Sequence, residues 1–187
     1  MLRKVESYTV GYLVDREASR LKNNKALQCA VLTITDTRTK KTDESGYLIG
    51  QLLEESGLTL SKYRICHDDI LAIRHMLSNW TINEEIDVII TTGGTGIAKR
   101  DCTIEAIQPL INKEITGFGE LFRFLSFTED VGTRAMLSRA IAGTISDKVV
   151  FSLPGSTKAV KFAMKRLILP ELNHLIYEAT KHLKVAK

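Results

Sequence analysis

Between Val88 and Thr103 the chain gathers three glycines, a cation and a carboxylate behind an apolar run: Val88-Ile89-Ile90-Thr91-Thr92-Gly93-Gly94-Thr95-Gly96, then Ile97-Ala98-Lys99-Arg100-Asp101-Cys102-Thr103. A short β-branched run bounded by glycine reads as a buried strand. Glycines just past it let the backbone take positive φ and come close to a ligand. Successive free N–H groups in such a loop make a concavity for anions. Thr103-Ile104-Glu105-Ala106 reads as a helix start, whose N–H groups would face the same anion. Arg100 and Asp101 stand where phosphate and metal chemistry want a cation and a carboxylate. The alternative is a plain tight turn. Neither the Gly-x-x-x-x-Gly-Lys-Ser/Thr pattern nor Gly-x-Gly-x-x-Gly occurs.

Other polar clusters fall at the ends of expected strands. Asp36-Thr37-Arg38-Thr39-Lys40-Lys41-Thr42-Asp43 follows the first strand, at the end where open α/β sheets place ligands; a solvated connection accounts for it equally well. His67-Asp68-Asp69 follows the second, where either aspartate could simply cap a helix. Ser138-Arg139 and Pro154-Gly155-Ser156 complete the set. Lys158, Lys161 and Lys165 share one helix face and read as a solvated stripe.

The elements that must position these residues alternate. Residues 26–35 form a mostly apolar strand, and Asp43 or Ser45 caps a helix whose stripe is Leu48, Ile49, Leu52 and Leu53 and whose end is Gly57. Residues 58–66 alternate as a weaker strand, and Ile70, Ile73, Met76, Leu77 and Trp80 repeat at helical spacing. Beyond the glycine loop, a helix over 103–111 is disturbed by Pro109, and another runs from Ile115 through Leu125. A short segment spans 133–140. Residues 141–145 and 149–153 flank Ser146-Asp147-Lys148 as a β-hairpin, and a long helix from Thr157 to about Leu183 contains Pro170. This order predicts a three-layer α/β/α fold around a mostly parallel, mixed sheet. Residues 1–25 are expected to be an N-terminal extension, free or at a subunit contact, and 26–187 a single domain.

At 187 residues the chain can bury a sizeable core, and 44% apolar with 26% charged content is ordinary for a globular protein. The net charge of +4 is spread along the chain, and no basic cluster interleaved with aromatics suggests nucleic acid. Cys29, Cys66 and Cys102 are isolated, which fits neither a disulfide framework nor a zinc site and points to a reducing cytoplasm. No segment is apolar enough to span a membrane, and Glu6, Asp15 and Glu17 interrupt any signal-peptide pattern.

Taken together the loops resemble one family. Thr33-Ile34-Thr35-Asp36-Thr37-Arg38 with Asp43-x-Ser45-Gly46, the Thr91–Gly96 loop with Arg100-Asp101-x-Thr103-x-Glu105-Ala106, Gly117-Phe118-Gly119-Glu120-x-Phe122-Arg123, Leu137-Ser138-Arg139-Ala140 and Leu153-Pro154-Gly155-Ser156 occur in the order of the MoaB/Mog family of molybdenum cofactor biosynthesis. The resemblance covers roughly residues 27–183 and is nearer the MoaB branch. It implies the three-layer fold, assembly as homotrimers or homohexamers, a site for molybdopterin, and dealings with other enzymes of that pathway. It further implies adenylation of the molybdopterin phosphate with ATP and Mg²⁺. By that resemblance Asp68 and Asp101 are the essential carboxylates and hold Mg²⁺, and Ser138 touches substrate. The expected binding residues are Gly93, Gly94, Thr95, Gly96, Arg100, Ser138, Arg139, Gly155 and Ser156. His67 and Thr116 stand where the family often has proline. A non-catalytic molybdopterin carrier is the alternative. A hydrolase built on Ser156 or Ser138 lacks the Gly-x-Ser-x-Gly elbow.

Overall fold

The structure, a computed structural model, describes residues 26–184. Residues 1–25, expected as an extension, lie outside the described residues.

Six strands form one sheet: β1 (Gln28–Ile34), β2 (Thr59–Cys66), β3 (Val88–Thr92), β4 (Lys113–Glu114), β5 (Ile141–Ile145) and β6 (Lys148–Leu153), in the order β2-β1-β3-β6-β5-β4. β2, β1, β3 and β6 are parallel, and β5 and β4 run antiparallel at one edge. The mixed sheet is therefore as expected. All five residues of β3 are buried, because parallel strands covered on both faces have no solvent side.

Alternation along the strands sorts the helices into two layers. Cys29, Val31, Val88, Ile90, Val149 and Phe151 face one side, covered by α1 (Glu44–Glu55), α4 (Thr116–Glu129), α5 (Thr157–Ala163) and α6 (Leu169–Thr180). Ala30, Leu32, Ile34, Ile89 and Val150 face the other, covered by α2 (Ile70–Thr81) and α3 (Thr103–Ile107). On the first side Phe118 meets Phe151 edge-on with ring centroids 5.3 Å apart. Removing such a buried ring costs about 3–5 kcal/mol.

Local signals explain the boundaries. Asp43 accepts the Gly46 amide at 3.0 Å and caps α1, and Ser45, the other expected cap, lies inside the helix. The β5–β6 turn places Ser146 at φ 53°, as a two-residue hairpin requires. Two details were not in the sequence pattern, and the break at Pro109 was expected. Two-residue β4 is too short to show periodicity. The helix carrying Pro109 stops at Ile107 and gives way to a 3₁₀ turn over Gln108–Leu110. The last helix loosens into one π turn, Met164–Ile168, just before Pro170, which has no amide to donate to the preceding turn.

Candidate functional site

Because β1, β2, β3 and β6 are parallel neighbours, the loops at their C-terminal ends converge. They bring together Asp36, Asp68, the 93–96 loop with Asp101, and Gly155.

The glycine loop is fixed from below and open above. Gly93 N donates to Leu153 O at 3.0 Å, Thr103 N to Gly94 O at 3.0 Å, and the Thr103 hydroxyl to Gly93 O at 2.9 Å. The amides of Gly94, Thr95 and Gly96 donate to no acceptor among the described residues. Three successive unengaged N–H groups are what an anion concavity requires. Gly94 sits at φ 60°, and a Cβ there would lie 2.3 Å from the Thr103 hydroxyl and 2.5 Å from Asp68 Oδ2. Its hydrogen therefore makes room for the protein's own carboxylate.

Both expected carboxylates border this loop. Asp68 Oδ1 accepts the Cys102 amide at 3.0 Å and the Cys102 thiol at 3.2 Å. Asp101 Oδ2 accepts the Ala98 amide at 3.3 Å, and a Cβ on Gly96 would come within 2.5 Å of that oxygen. Each carboxylate thus spends one oxygen on the loop, and the other accepts nothing among the described residues. No group of three or more His, Cys, Asp or Glu side chains arranged for a metal occurs among the described residues. The pair nonetheless fits Mg²⁺, which takes one or two carboxylates and completes its shell with water and substrate phosphate. Burial and the Asp68 carboxylate push the Cys102 thiol up to about 12, so it stays a proton donor to Asp68 at neutral pH.

The two expected arginines are already occupied. Arg139 donates to Thr95 O at 2.9 Å, to Gly96 O at 2.7 Å and to Glu105 Oε1 at 2.5 Å. It clamps the far end of the loop to α3. Arg100 pairs with Asp36 Oδ2. Ser156 caps α5 by accepting the Ala159 amide at 3.2 Å. Gly155 packs backbone to backbone on Gly93, with 3.1 Å from a built Cβ to the Gly93 Cα. Ser138 is half-buried beside Arg139, and its hydroxyl makes no hydrogen bond among the described residues.

Sequence reasoning did not single out three participants. Asp36 accepts the Asp68 amide at 3.1 Å and faces His67 Nδ1 at 3.2 Å while holding Arg100, so it ties three loops together. The Asp68 amide above all, with His67 and Arg100, holds the Asp36 carboxyl below its ordinary range against a smaller effect of burial. Asp43, fully buried, accepts the Tyr63 hydroxyl at 2.5 Å and the Ser45 hydroxyl at 2.9 Å. Burial pushes Asp43 up, but the nearby Thr33 hydroxyl, the Tyr63 hydroxyl, the Gly46 amide and the Ser45 hydroxyl hold it below the usual carboxylate range. Arg38 reaches Ser45 Oγ at 2.8 Å. The available signal was position: all three lie at the C-terminal ends of adjacent parallel strands or in the loop after one.

Comparison with known proteins identifies the family. Residues 30–174 match the family model described as "Probable molybdopterin binding domain". Molybdenum cofactor biosynthesis protein B of Staphylococcus carnosus is 57% identical over 171 residues, covering 90% of this chain and all of that protein. A crystal structure of a molybdenum cofactor biosynthesis protein B superposes with a TM-score of 0.82 at 52% identity, over 86% of this chain and 99% of the other. The tungsten cofactor synthesizing protein MoaB of Pyrococcus furiosus superposes at 0.73 with 40% identity, over 83% and 98%. The chain belongs to the MoaB/Mog family of molybdenum cofactor biosynthesis proteins.

Proposed function

We propose that the chain binds molybdopterin over the Gly94–Gly96 loop and transfers an adenylyl group from ATP to its terminal phosphate. The observation that carries this is the set of three unengaged amides between two carboxylates that each keep one oxygen open. In the step, an oxygen of the molybdopterin phosphate attacks the α-phosphorus of ATP in line, and pyrophosphate leaves. That oxygen is already anionic, so no general base is required. The chain's part is placement and charge, as in other phosphoryl and nucleotidyl transfers. Gly94, Thr95 and Gly96 amides hold phosphate oxygens, Arg139 fixes the loop that presents them, and Asp36 fixes the strand end carrying Asp68. Asp68 and Asp101 would hold Mg²⁺ through their open oxygens. When bound, the metal would supply positive charge to the transferring phosphoryl group.

The relatives' names place them in molybdenum and tungsten cofactor synthesis, and the matched family model, a probable molybdopterin binding domain, supports molybdopterin as the ligand of this chain. We extend the reading to a cytoplasmic homotrimer or homohexamer that exchanges molybdopterin with other enzymes of the pathway, residues 26–187 acting as one domain. The test is direct. Purified protein incubated with molybdopterin, ATP and Mg²⁺ should yield adenylated molybdopterin and pyrophosphate. Tight molybdopterin binding without ATP-dependent product would instead establish a carrier.

A further inference from the structure

The phosphate site needs a cation, and both arginines that the sequence suggests are already hydrogen-bonded to a carboxylate. Arg139 spends Nε, Nη1 and Nη2 on Thr95 O, Glu105 and Gly96 O. Arg100 is matched through Nη2 with the Asp36 carboxylate, and its side chain is 62% exposed.

Arg38 is different. Its Nη1 donates to Ser45 Oγ at 2.8 Å and, more weakly, to Gly155 O at 3.4 Å. Its Nε and Nη2 donate to nothing among the described residues, and the side chain is 38% exposed. Gly155 lies against Gly93, so the guanidinium sits one backbone contact from the anion loop. Its nearest carboxylate is Asp43 Oδ1 at 3.7 Å, beyond hydrogen-bond range, and the Asp43 oxygens are already accepting from Gly46, Ser45 and Tyr63. Asp43 therefore sets its charge beside the guanidinium without taking up the Nε and Nη2 donors. A planar fork held at one nitrogen, with its remaining donors open, is built for phosphate.

We infer that Arg38 is the phosphate-clamping cation of this site, closing on an anion whose other oxygens lie on the Gly94, Thr95 and Gly96 amides. The inference rests on the anion-loop reading above and names the side chain that completes it. Lysine could supply the charge at this position but not the fork.

The experiment titrates the whole protein with inorganic phosphate and follows backbone amide chemical shifts by NMR. In the wild type, the amides of Gly94, Thr95 and Gly96 should move together and yield one dissociation constant. Arg38→Gln should weaken that constant about tenfold or more, the worth of a charge-assisted hydrogen-bonded pair. Arg38→Lys should fall between the two. Lys165→Gln, which removes one charge from an exposed helical position, should change it by less than about twofold. Unshifted core amides certify that a variant is folded; if Arg38→Gln fails that check, Arg38→Lys decides by its own loss of affinity. Wild-type affinity in the folded Arg38 variants overturns the role of Arg38 while leaving the loop reading intact. A wild type whose loop amides ignore phosphate overturns the loop reading, and this inference with it.

Discussion

The side chain of Asp69 accepts the Ala72 amide at 2.8 Å and closes the first turn of α2, whereas Asp68, one residue earlier, turns its carboxylate to the Cys102 amide and the glycine loop. The difference follows from backbone direction: Asp69 is extended at the helix N-cap, with φ −135° and ψ 131°. Asp69→Ala should therefore cost about 1 kcal/mol of stability, read as a shift in urea midpoint, with molybdopterin affinity unchanged. The site carboxylates should behave in the opposite way. Asn in place of Asp101 can still accept the Ala98 amide through its carbonyl oxygen but loses the charge. An interaction made mainly in the transition state lowers turnover and spares substrate binding. Asp101→Asn should cut adenylation by about 10²-fold or more, the usual loss for one electrostatic group, with molybdopterin bound as well as before. Asp68→Asn should match it, since its remaining oxygen still serves Cys102. A parallel loss of affinity, measured by titration, would assign these carboxylates to binding instead.

At the scale of elements, the strand–loop–helix unit of β3, the glycine loop and α3 is a single part locked by its own side chains. The sequence suggests that a side chain at position 94 would occupy the anion's space. The structure aims that Cβ at Asp68 and Thr103. Gly94→Val must then distort the protein itself: positive φ costs a non-glycine residue about 1–2 kcal/mol, and the steric conflict adds about 1–3 kcal/mol. A drop in stability of about 2–5 kcal/mol in a denaturant titration is expected, together with weaker phosphate binding. Much of this was legible beforehand. The buried strands announced themselves as β-branched runs, the hairpin by its polar turn, and the loop by three glycines. The duties of the charged residues were not legible. Arg139 reads as a phosphate cation in one dimension, but it meets carbonyls more than 40 positions away in the chain. Arg38 meets Gly155 across 117 positions. Such pairings depend on which strand lies beside which, and local pattern carries no record of that order.

Two properties belong to the whole molecule. The first is its response to acid. Asp36, Asp43 and Glu105 all have carboxyls held below their ordinary values: by the Asp68 amide for Asp36, by donors that overcome burial for Asp43, and by Arg139 for Glu105. A depressed folded-state pKa adds stability that is present above the unfolded value and is lost as pH falls through the folded one. The urea midpoint should therefore stay level from neutral pH to about 5 and fall below about 4. Glu105→Gln should flatten part of that fall. The second property is assembly. Leu121, Phe124, Phe127 and Val131 stand 52%, 61%, 55% and 40% exposed on α4 and the turn after it, followed by Met136 at 81% and Leu137 at 52%. Helical spacing puts Leu121, Phe124 and Phe127 on one side of α4, away from Phe118 and Phe122, which enter the core, and Val131 follows just past its end. A contiguous apolar surface of this kind is uncommon on a protein that stays single. Closed symmetry lets identical copies cover it, as the family resemblance implies with its rings of three or six. Light scattering of the intact chain should give three or six times the mass of one chain. Phe124→Glu combined with Met136→Glu places charge in the stripe without touching the core, and should lower that mass while leaving the far-ultraviolet dichroism of the fold intact. A wild-type mass equal to one chain at every concentration would overturn the assembly, and an unchanged oligomer in the double variant would move the contact to another face.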